Sequence, residues 1–374
     1  MDKKILHITP FGKRAGGHIQ ILNLLVEHLN WCNLECEILS LSGKYSRVSN
    51  NIRVSKPRNS FNIFLYLIKN VLLLRKYKII HFHTIWNAWL ILIFMLGVIS
   101  RTPIVVSLHG NLLKNTFTGK RLKKNLFLIL LTPFSISKNI SIHVLTSREQ
   151  EELPKQFCKW NIIKIPNGVE RVYKGFPIKK PIETRYLYVG EISSQKGIDI
   201  LIKSLAKIEF FLVKKNIKIV INLVGRINAN FNENLLYKKF NNIEIIYHGE
   251  VENKLVGDFY KTTDWFILLS RSEGMSISLI DALSYGVPII ISNQSDFANL
   301  EQKNIGITTK LNTNSVSKSF IESLIIDSNL YSLYKNNAIK YAKKNLIFSK
   351  IVTKYVDFYN QLLDKRSTKS DIKK

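Results

Sequence analysis

Two doubly wound α/β domains in tandem are what this 374-residue sequence predicts. Short apolar runs of strand length alternate with helix-length segments, an order that makes βαβ units and a parallel sheet. The series occurs twice. Between the two, residues 173–185 hold Gly175, Pro177, Pro181 and several charges with no helical period.

In the first series, residues 4–9 form a strand closed by Pro10, and residues 12–17 form a loop. A helix over 18–29 follows, with Ile21, Leu24, Leu25 and Leu29 at helical spacing. Further strands are predicted over 35–40, 79–83, 104–108, 141–145 and 162–165, with a helix over 86–99. The second series has strands over 185–189, 218–224, 243–247, 265–269 and 287–291, and helices over 200–208 and 278–285. Residues 348–363 are amphipathic, with Ile351, Val352, Tyr355, Val356, Tyr359 and Leu362 on one side.

The predicted organisation is therefore a first domain over 1–172, a linker over 173–185 and a second domain over 186–345. A helix over 346–364 packs back on the first domain, and a charged tail over 365–374 is expected to be disordered. In open parallel sheets ligands sit beyond the carboxyl ends of the strands. The loops at Gly16-Gly17, His83, His109 and Thr146 are the candidate rim of a site.

The composition is globular, with 46% hydrophobic and 22% charged residues. The net charge is +28, of which +20 falls in residues 1–185. A coding bias toward Lys, Asn and Ile explains part of it. The remainder suggests an anionic partner: a membrane surface, a phosphorylated substrate or nucleic acid. No nucleic-acid recognition motif accompanies the charge, so nucleic acid is not an expected partner. Three cysteines without a Cys-x-x-Cys pair fit a reducing, cytoplasmic setting. The apolar run over 85–99 is shorter than the ~20 residues of a spanning helix and reads as a buried crossover helix. The apolar run at the N-terminus is too short for a signal peptide.

Residues 269–288 carry the chemistry. Glu273 and Gly274 stand in a loop after a strand, a helix starts near Ser278, and Asp281 lies eight residues after Glu273. A loop carboxylate accepts hydrogen bonds from sugar hydroxyls. The backbone N–H groups over Gly274, Met275, Ser276, Ile277 and Ser278 suit a diphosphate. A second carboxylate about one turn inside the helix suits ribose hydroxyls. The ligand that fits is a nucleotide-diphosphate sugar.

This pattern resembles glycosyltransferase group 1, also called family 4, whose fold is the GT-B type with two Rossmann-like domains facing a cleft. Its signature of Glu, seven residues, Glu and a Gly-x-Pro turn stands here as Glu273, Asp281 and Gly286-Val287-Pro288. Asp281 replaces the second Glu and is one methylene shorter. Pro166-Asn167-Gly168-Val169 is similar to the family's interdomain turn, and Gly16-Gly17 to its diglycine loop near the donor phosphates. Tyr188-Val189-Gly190 to Lys196-Gly197 is similar to its Gly-Arg, spacer, Lys-Gly motif. There the resemblance makes Lys196 the diphosphate cation, while Glu191 stands where the family has Arg. Three outcomes stay open: Glu191 turns away, another cation such as Arg226 or Arg271 substitutes, or activity is weak, down to donor binding without transfer. His109 is similar to the family's His near the reacting sugar, where it bonds the 6-hydroxyl.

The resemblance implies a retaining transfer with Lys196, Glu273 and His109 at the reacting centre. The donor is a substrate, so no cofactor is expected. No Asp-x-Asp metal handle occurs. His81 and His83 share a strand face, but no third ligand has suitable spacing, so no metal is expected either. The expected acceptor is a glycan in lipid-linked form, for cell-surface polysaccharide such as lipopolysaccharide or capsule. Lys120, Arg121, Lys123 and Lys124 precede the apolar run over 126–131. They suggest attachment to the inner face of the membrane, against the alternative of a solvated helix beside core residues. Rival readings are a sugar-nucleotide epimerase of the same fold and a basic nucleic-acid-binding protein.

Overall fold

The computed structural model describes residues 4–10, 16–42, 53–55, 59–73, 76–113, 121–173, 183–295, 297 and 303–371. The chain divides into two units, Met1–Glu170 with Phe348–Lys374 and Arg171–Ile347.

The first unit contains β1 (Ile5–Thr9), α1 (Gly16–Trp31), β2 (Cys36–Ser40), β3 (Arg53–Ser55), α2 (Ser60–Leu67) and β4 (Ile79–Phe82). It continues with α3 (Trp89–Ser100), β5 (Ile104–Ser107), α4 (Arg121–Leu131), β6 (Ile140–Val144), α5 (Ser147–Glu151) and β7 (Asn161–Lys164). The seven strands form one sheet in the order β3-β2-β1-β4-β5-β6-β7, with every pairing parallel. Central strands such as β5 (Ile-Val-Val-Ser) are buried along their whole length, as a sheet covered on both faces requires. On one face Leu6, Ile8, Phe82 and Val106 pack against Ile93 and Phe94 of α3. On the other, Ile5, Ile38, Ile79 and Val105 pack against Leu22 and Val26 of α1.

The second unit contains β8 (Glu183–Val189), α6 (Ile198–Lys215), β9 (Lys218–Val224), β10 (Ile243–Gly249), α7 (Asn253–Lys261) and β11 (Trp265–Leu268). It closes with α8 (Ile277–Ser284), β12 (Ile289–Ser292), β13 (Gly306–Thr309), α9 (Thr313–Ile325) and α10 (Ser328–Asn345). Its parallel sheet runs β10-β9-β8-β11-β12-β13.

The last helix, α11 (Phe348–Asp371), returns to the first unit. Its Phe348, Ile351, Val352, Tyr355, Tyr359 and Leu362 join the core that holds Ile5 and Ile38. Two sequence boundaries are corrected. Residues 365–371, expected to be disordered, continue α11, since neither Gly nor Pro interrupts them, and 372–374 lie outside the described residues. The linker is shorter than 173–185 at both ends. Tyr173 donates its backbone N–H to Ser284 O at 2.8 Å and stacks on Tyr285 with ring centroids 4.0 Å apart. Glu183 is already in β8, opposite Lys218 of β9, and 174–182 lie outside the described residues.

The apolar run over 85–99 forms α3 from Trp89, with Leu90, Ile93, Phe94 and Leu96 buried. Among the described residues no helix is long and apolar enough to cross a membrane.

Candidate active site

In the second unit β8 and β11 are neighbours, and the strand order reverses between them. At such a reversal the connections leave in opposite directions and open a crevice beyond the strand ends. The loop after β8 carries Gly190, Glu191 and Lys196, and the loop after β11 carries Glu273. Lys196 Nζ lies 2.5 Å from Glu273 Oε2, and Ser270 Oγ donates to the same oxygen at 3.0 Å. Gly197 makes this approach possible. Its φ is +75°, and a Cβ there would stand 2.0 Å from the Leu269 carbonyl oxygen. Only glycine lets the Lys196 loop lie on the end of β11.

Arg271 does not serve as a spare phosphate cation. Its guanidinium grips Asp199 in two-point fashion at 2.8 and 2.9 Å and also donates to Ser194 O. It stitches the two loops together. Arg226 is placed differently. The loops after β8 and β9 run side by side, with Ile192 bridged to Ile227 and a Cβ on Gly225 only 1.9 Å from Gly190 O. Arg226 Nη2 thereby reaches Glu191 Oε1 at 3.0 Å, and Asn228 Nδ2 donates to Oε2 at 3.1 Å. The buried Tyr188 lies between both carboxylates. Burial, then the charges of Glu273 and Glu191, push its phenol well above the usual range. Its hydroxyl donates to Glu191 O at 2.8 Å.

Gly274 and Met275 form the turn into α8, and Ser276 is its N-cap, accepting from Leu279 N at 3.4 Å. The helix opens at Ile277, with Ser278 in its first turn and Ser276 Oγ 3.0 Å from Ser278 Oγ. Asp281 lies one turn in. Burial pushes its carboxyl up to about 7.

In the first unit the order reverses between β1 and β4, and a group of histidines occupies that point. Register sets His7 of β1 opposite His81 of β4. Gly16 and Gly17 open α1 just after the 11–15 segment, which lies outside the described residues. His18 follows, with its ring 5.0 Å from that of His109. His109 has φ +51° and Gly110 φ +76°, both left-handed. For histidine that conformation is strained and needs support from its surroundings. The support is Glu149, a buried carboxylate that accepts from Gly110 N and, at 2.7 Å, from Leu145 N.

The sequence left the metal question at two histidines. The structure adds His7, and nitrogens of His7, His81 and His83 lie within 4.8 Å of one another. Their hydrogen bonds argue against a ligand set. His143 Nε2 meets Ile165 O at 2.8 Å, and a carbonyl only accepts, so Nε2 carries the proton. His143 Nδ1 must then accept from Ser107 Oγ at 2.6 Å. Ser107 in turn accepts from His81 Nε2 at 2.6 Å, and His81 Nδ1 accepts from Tyr359 at 2.5 Å. Both His81 nitrogens are engaged, and its ring is stacked at 23° on His83, so their lone pairs do not converge.

The structure thus pairs Lys196 with Glu273, sets Glu191 and Glu273 within electrostatic reach of Tyr188, and places Gly274 to Ser278 and Asp281 on the turn and helix that follow. Gly16, Gly17 and His109 belong to a second group in the first unit. Sequence reasoning did not single out Asn228, Glu149, His7 or His18. Asn228 and Arg226 had one usable signal, a strand ending in glycine as β8 does. The others depend on strand register and buried contacts.

The model of the glycosyl transferases group 1 family matches residues 175–344. The capsular polysaccharide biosynthesis glycosyltransferase CapH of Staphylococcus aureus is 24% identical over 321 residues, 80% of this chain and 84% of that protein. An uncharacterized glycosyltransferase of Methanocaldococcus jannaschii is 30% identical over 111 residues, which are 30% of this chain and only 27% of that protein. Among solved structures, Anabaena HepE in complex with UDP and glucose superposes with a TM-score of 0.72 at 16% identity, covering 96% of this chain and 100% of that one.

Proposed function

From the match of residues 175–344 to the group 1 glycosyltransferase model and from the GT-B fold, we propose that the chain is a group 1 glycosyltransferase that moves a hexose from a nucleotide-diphosphate sugar to a glycan with retention of configuration. The observation that carries the proposal is the Lys196–Glu273 contact at the β8/β11 reversal, beside the opening of α8. Without donor, each charge satisfies the other. With donor, Glu273 accepts from sugar hydroxyls and Lys196 turns to the diphosphate, whose charge grows as the glycosidic bond breaks. Asp281 takes the ribose.

The acceptor hydroxyl attacks the anomeric carbon from the face the diphosphate leaves. A leaving phosphate oxygen takes the hydroxyl proton, so no protein nucleophile or metal is needed. Arg226 restores the cation that Glu191 removes from the family's pattern. His109 meets the sugar.

The likeness to a capsular polysaccharide enzyme supports an acceptor in cell-surface polysaccharide synthesis. The exposed face of α4 supports a lipid-linked acceptor at an anionic membrane. Leu122, Leu126, Ile129 and Leu130 are 83%, 58%, 63% and 51% exposed at helical spacing, beside exposed Lys123. Leu128 and Leu131 of the same run belong to the core. Lys120 lies outside the described residues, as does the side chain of Arg121.

A panel of nucleotide sugars in a thermal-shift assay, followed by nucleotide release with lipid-linked acceptors, tests donor choice and transfer separately. Stabilisation by a nucleotide sugar that Glu273→Ala abolishes is expected. Full transfer by that variant would sink the assignment.

A further inference from the structure

The loop from β8 to α6 carries Lys196, and its two halves are tied to different neighbours. The first half is tied to the loop after β9. Ile192 N donates to Arg226 O at 2.8 Å, and Asn228 N donates back to Ile192 O at 2.9 Å. The second half is tied to the residues after β11, through Arg271. The Arg271 backbone N–H donates to Gln195 O at 2.9 Å. Its guanidinium donates to Ser194 O and closes on both oxygens of Asp199 at 2.8 and 2.9 Å. Gly197 lies between these points, against the Leu269 carbonyl.

Residues 194, 195, 197 and 199 are thus held on β11 and the segment that follows it, on both sides of Lys196. None of these contacts uses the Lys196 side chain. What is left to move is its four-carbon stem with a compact ammonium at the end. The charge of Arg271 is meanwhile committed. A guanidinium gripping both oxygens of one carboxylate is satisfied in geometry and in charge. Asp199 stands in the first turn of α6, where the helix start also favours a carboxylate. Gly197, the N-cap of α6, offers no side chain, and Arg271 holds this helix start from outside.

We infer that Arg271 and Asp199 are positioning residues: their ion pair fixes the backbone on either side of Lys196, so that the lysine exchanges Glu273 for the donor diphosphate by side-chain rotation alone. The inference rests on the reading of Lys196 as the diphosphate cation. It separates two arginines that the sequence offers as equivalents. On that reading Arg226 meets the diphosphate as a charge, and Arg271 acts through Lys196.

The two roles differ in their coupling to Lys196. UDP, GDP and TDP are the probes in calorimetric titration of the full chain, and the one the native protein binds most tightly is carried through the variants. Arg271→Gln should weaken binding by about fivefold to tenfold, no more than Lys196→Met does. In the Lys196→Met background the same substitution should change affinity by less than about twofold, because the residue it positions is gone. Asp199→Ala opens the clamp from the other side and should weaken binding to the same extent. Arg271→Lys keeps the charge but loses the two-point grip and should not rescue. A phosphate cation behaves otherwise. Its loss would persist without Lys196, and Asp199→Ala would free it and tighten binding. Either result overturns the inference.

A second measurement needs no ligand. The amides of Lys196, Gly197 and Arg271 are bonded to Ser193 O, Ser194 O and Gln195 O. Their hydrogen exchange should quicken roughly tenfold or more in Asp199→Ala, while the amides of β12 keep native rates and show that the unit stays folded. Unchanged exchange at all three overturns the clamp even where affinities fall. If exchange quickens as expected but Lys196→Met binds the diphosphate as the native protein does, the clamp stands and the reading of Lys196 fails.

Discussion

Arg226 Nη2 stands 3.0 Å from Glu191 Oε1, across two loops that end neighbouring strands. Both side chains are partly exposed, at 46% and 32%, so the pair itself adds little stability. Its meaning is electrostatic. Where the family pattern places a cation, the chain has a carboxylate with a cation beside it. On the proposed function, a donor diphosphate would compete with Glu191 for Arg226.

Arg226→Ala should therefore weaken binding of a nucleoside diphosphate by roughly tenfold, the scale of one charge-assisted hydrogen bond. A nucleoside monophosphate should lose less. Glu191→Gln should strengthen diphosphate binding by removing both the competitor and the repulsion. Calorimetric titration with UDP and UMP checks both. Equal losses for the two ligands would place Arg226 away from the diphosphate.

Asp281 gives a pH dependence. Burial raises its carboxyl to about 7 from an ordinary value of 3.8. The folded state thus holds this proton more tightly than the unfolded chain. Its contribution to stability is greatest below pH 4 and falls as pH rises through 7. A ribose diol donates to the ionised form, so donor affinity should rise about fivefold to tenfold between pH 6 and 8, with proton release on binding. The neighbouring Tyr260 and Tyr285 stay protonated there, since burial and Asp281 raise both. Titration in buffers of different ionisation heat measures the release. Asp281→Asn should abolish the pH dependence and raise the melting temperature of the free protein at pH 8.

Glu149 answers a different question, how a strained histidine is held. Its two oxygens satisfy the backbone N–H groups of Gly110 and Leu145 from within the core. Glu149→Ala leaves two buried donors unsatisfied and should cost about 2–5 kcal/mol in denaturant unfolding. The side chain is long enough to span both loops. Glu149→Gln keeps only one acceptor oxygen and should lose part of that. No loss in either variant would mean that the His109-Gly110 turn stands on its own.

The contrast between Glu149 and Glu273 shows what was legible in the sequence. Glu273 sits in a local pattern of strand, loop and helix whose spacing implies its surroundings. Strand runs such as 218–224 were readable because buried parallel strands are continuously apolar. Glu149 looks like any acid in a helical first turn, and its partners lie 39 residues away at Gly110 and 4 away at Leu145. His7 likewise acquires meaning only from the β1/β4 register, and the three-residue β3 is too short for a periodic signal. The extent of α11 past residue 364 was not legible because residues 365–371, Lys-Arg-Ser-Thr-Lys-Ser-Asp, carry no apolar period.

The exposed face of α4 should bind anionic vesicles. Leu126 and Ile129 are three residues apart and 58% and 63% exposed, while the stripe at Leu128 and Leu131 is buried. Replacing the two exposed positions by Glu removes apolar area and adds repulsion without opening the core. Burial of each side chain contributes about 1–2 kcal/mol at most when it inserts into the headgroup boundary. The double variant Leu126→Glu with Ile129→Glu should therefore lose at least tenfold in partitioning to phosphatidylglycerol vesicles, with its melting temperature unchanged. The native protein should bind phosphatidylcholine vesicles more weakly, and raising salt to about 1 M, where the Debye length is near 3 Å, should narrow that difference. Equal partitioning of native protein and variant would leave this helix as a solvated face of the first unit and would detach the lipid-linked acceptor from the structural case.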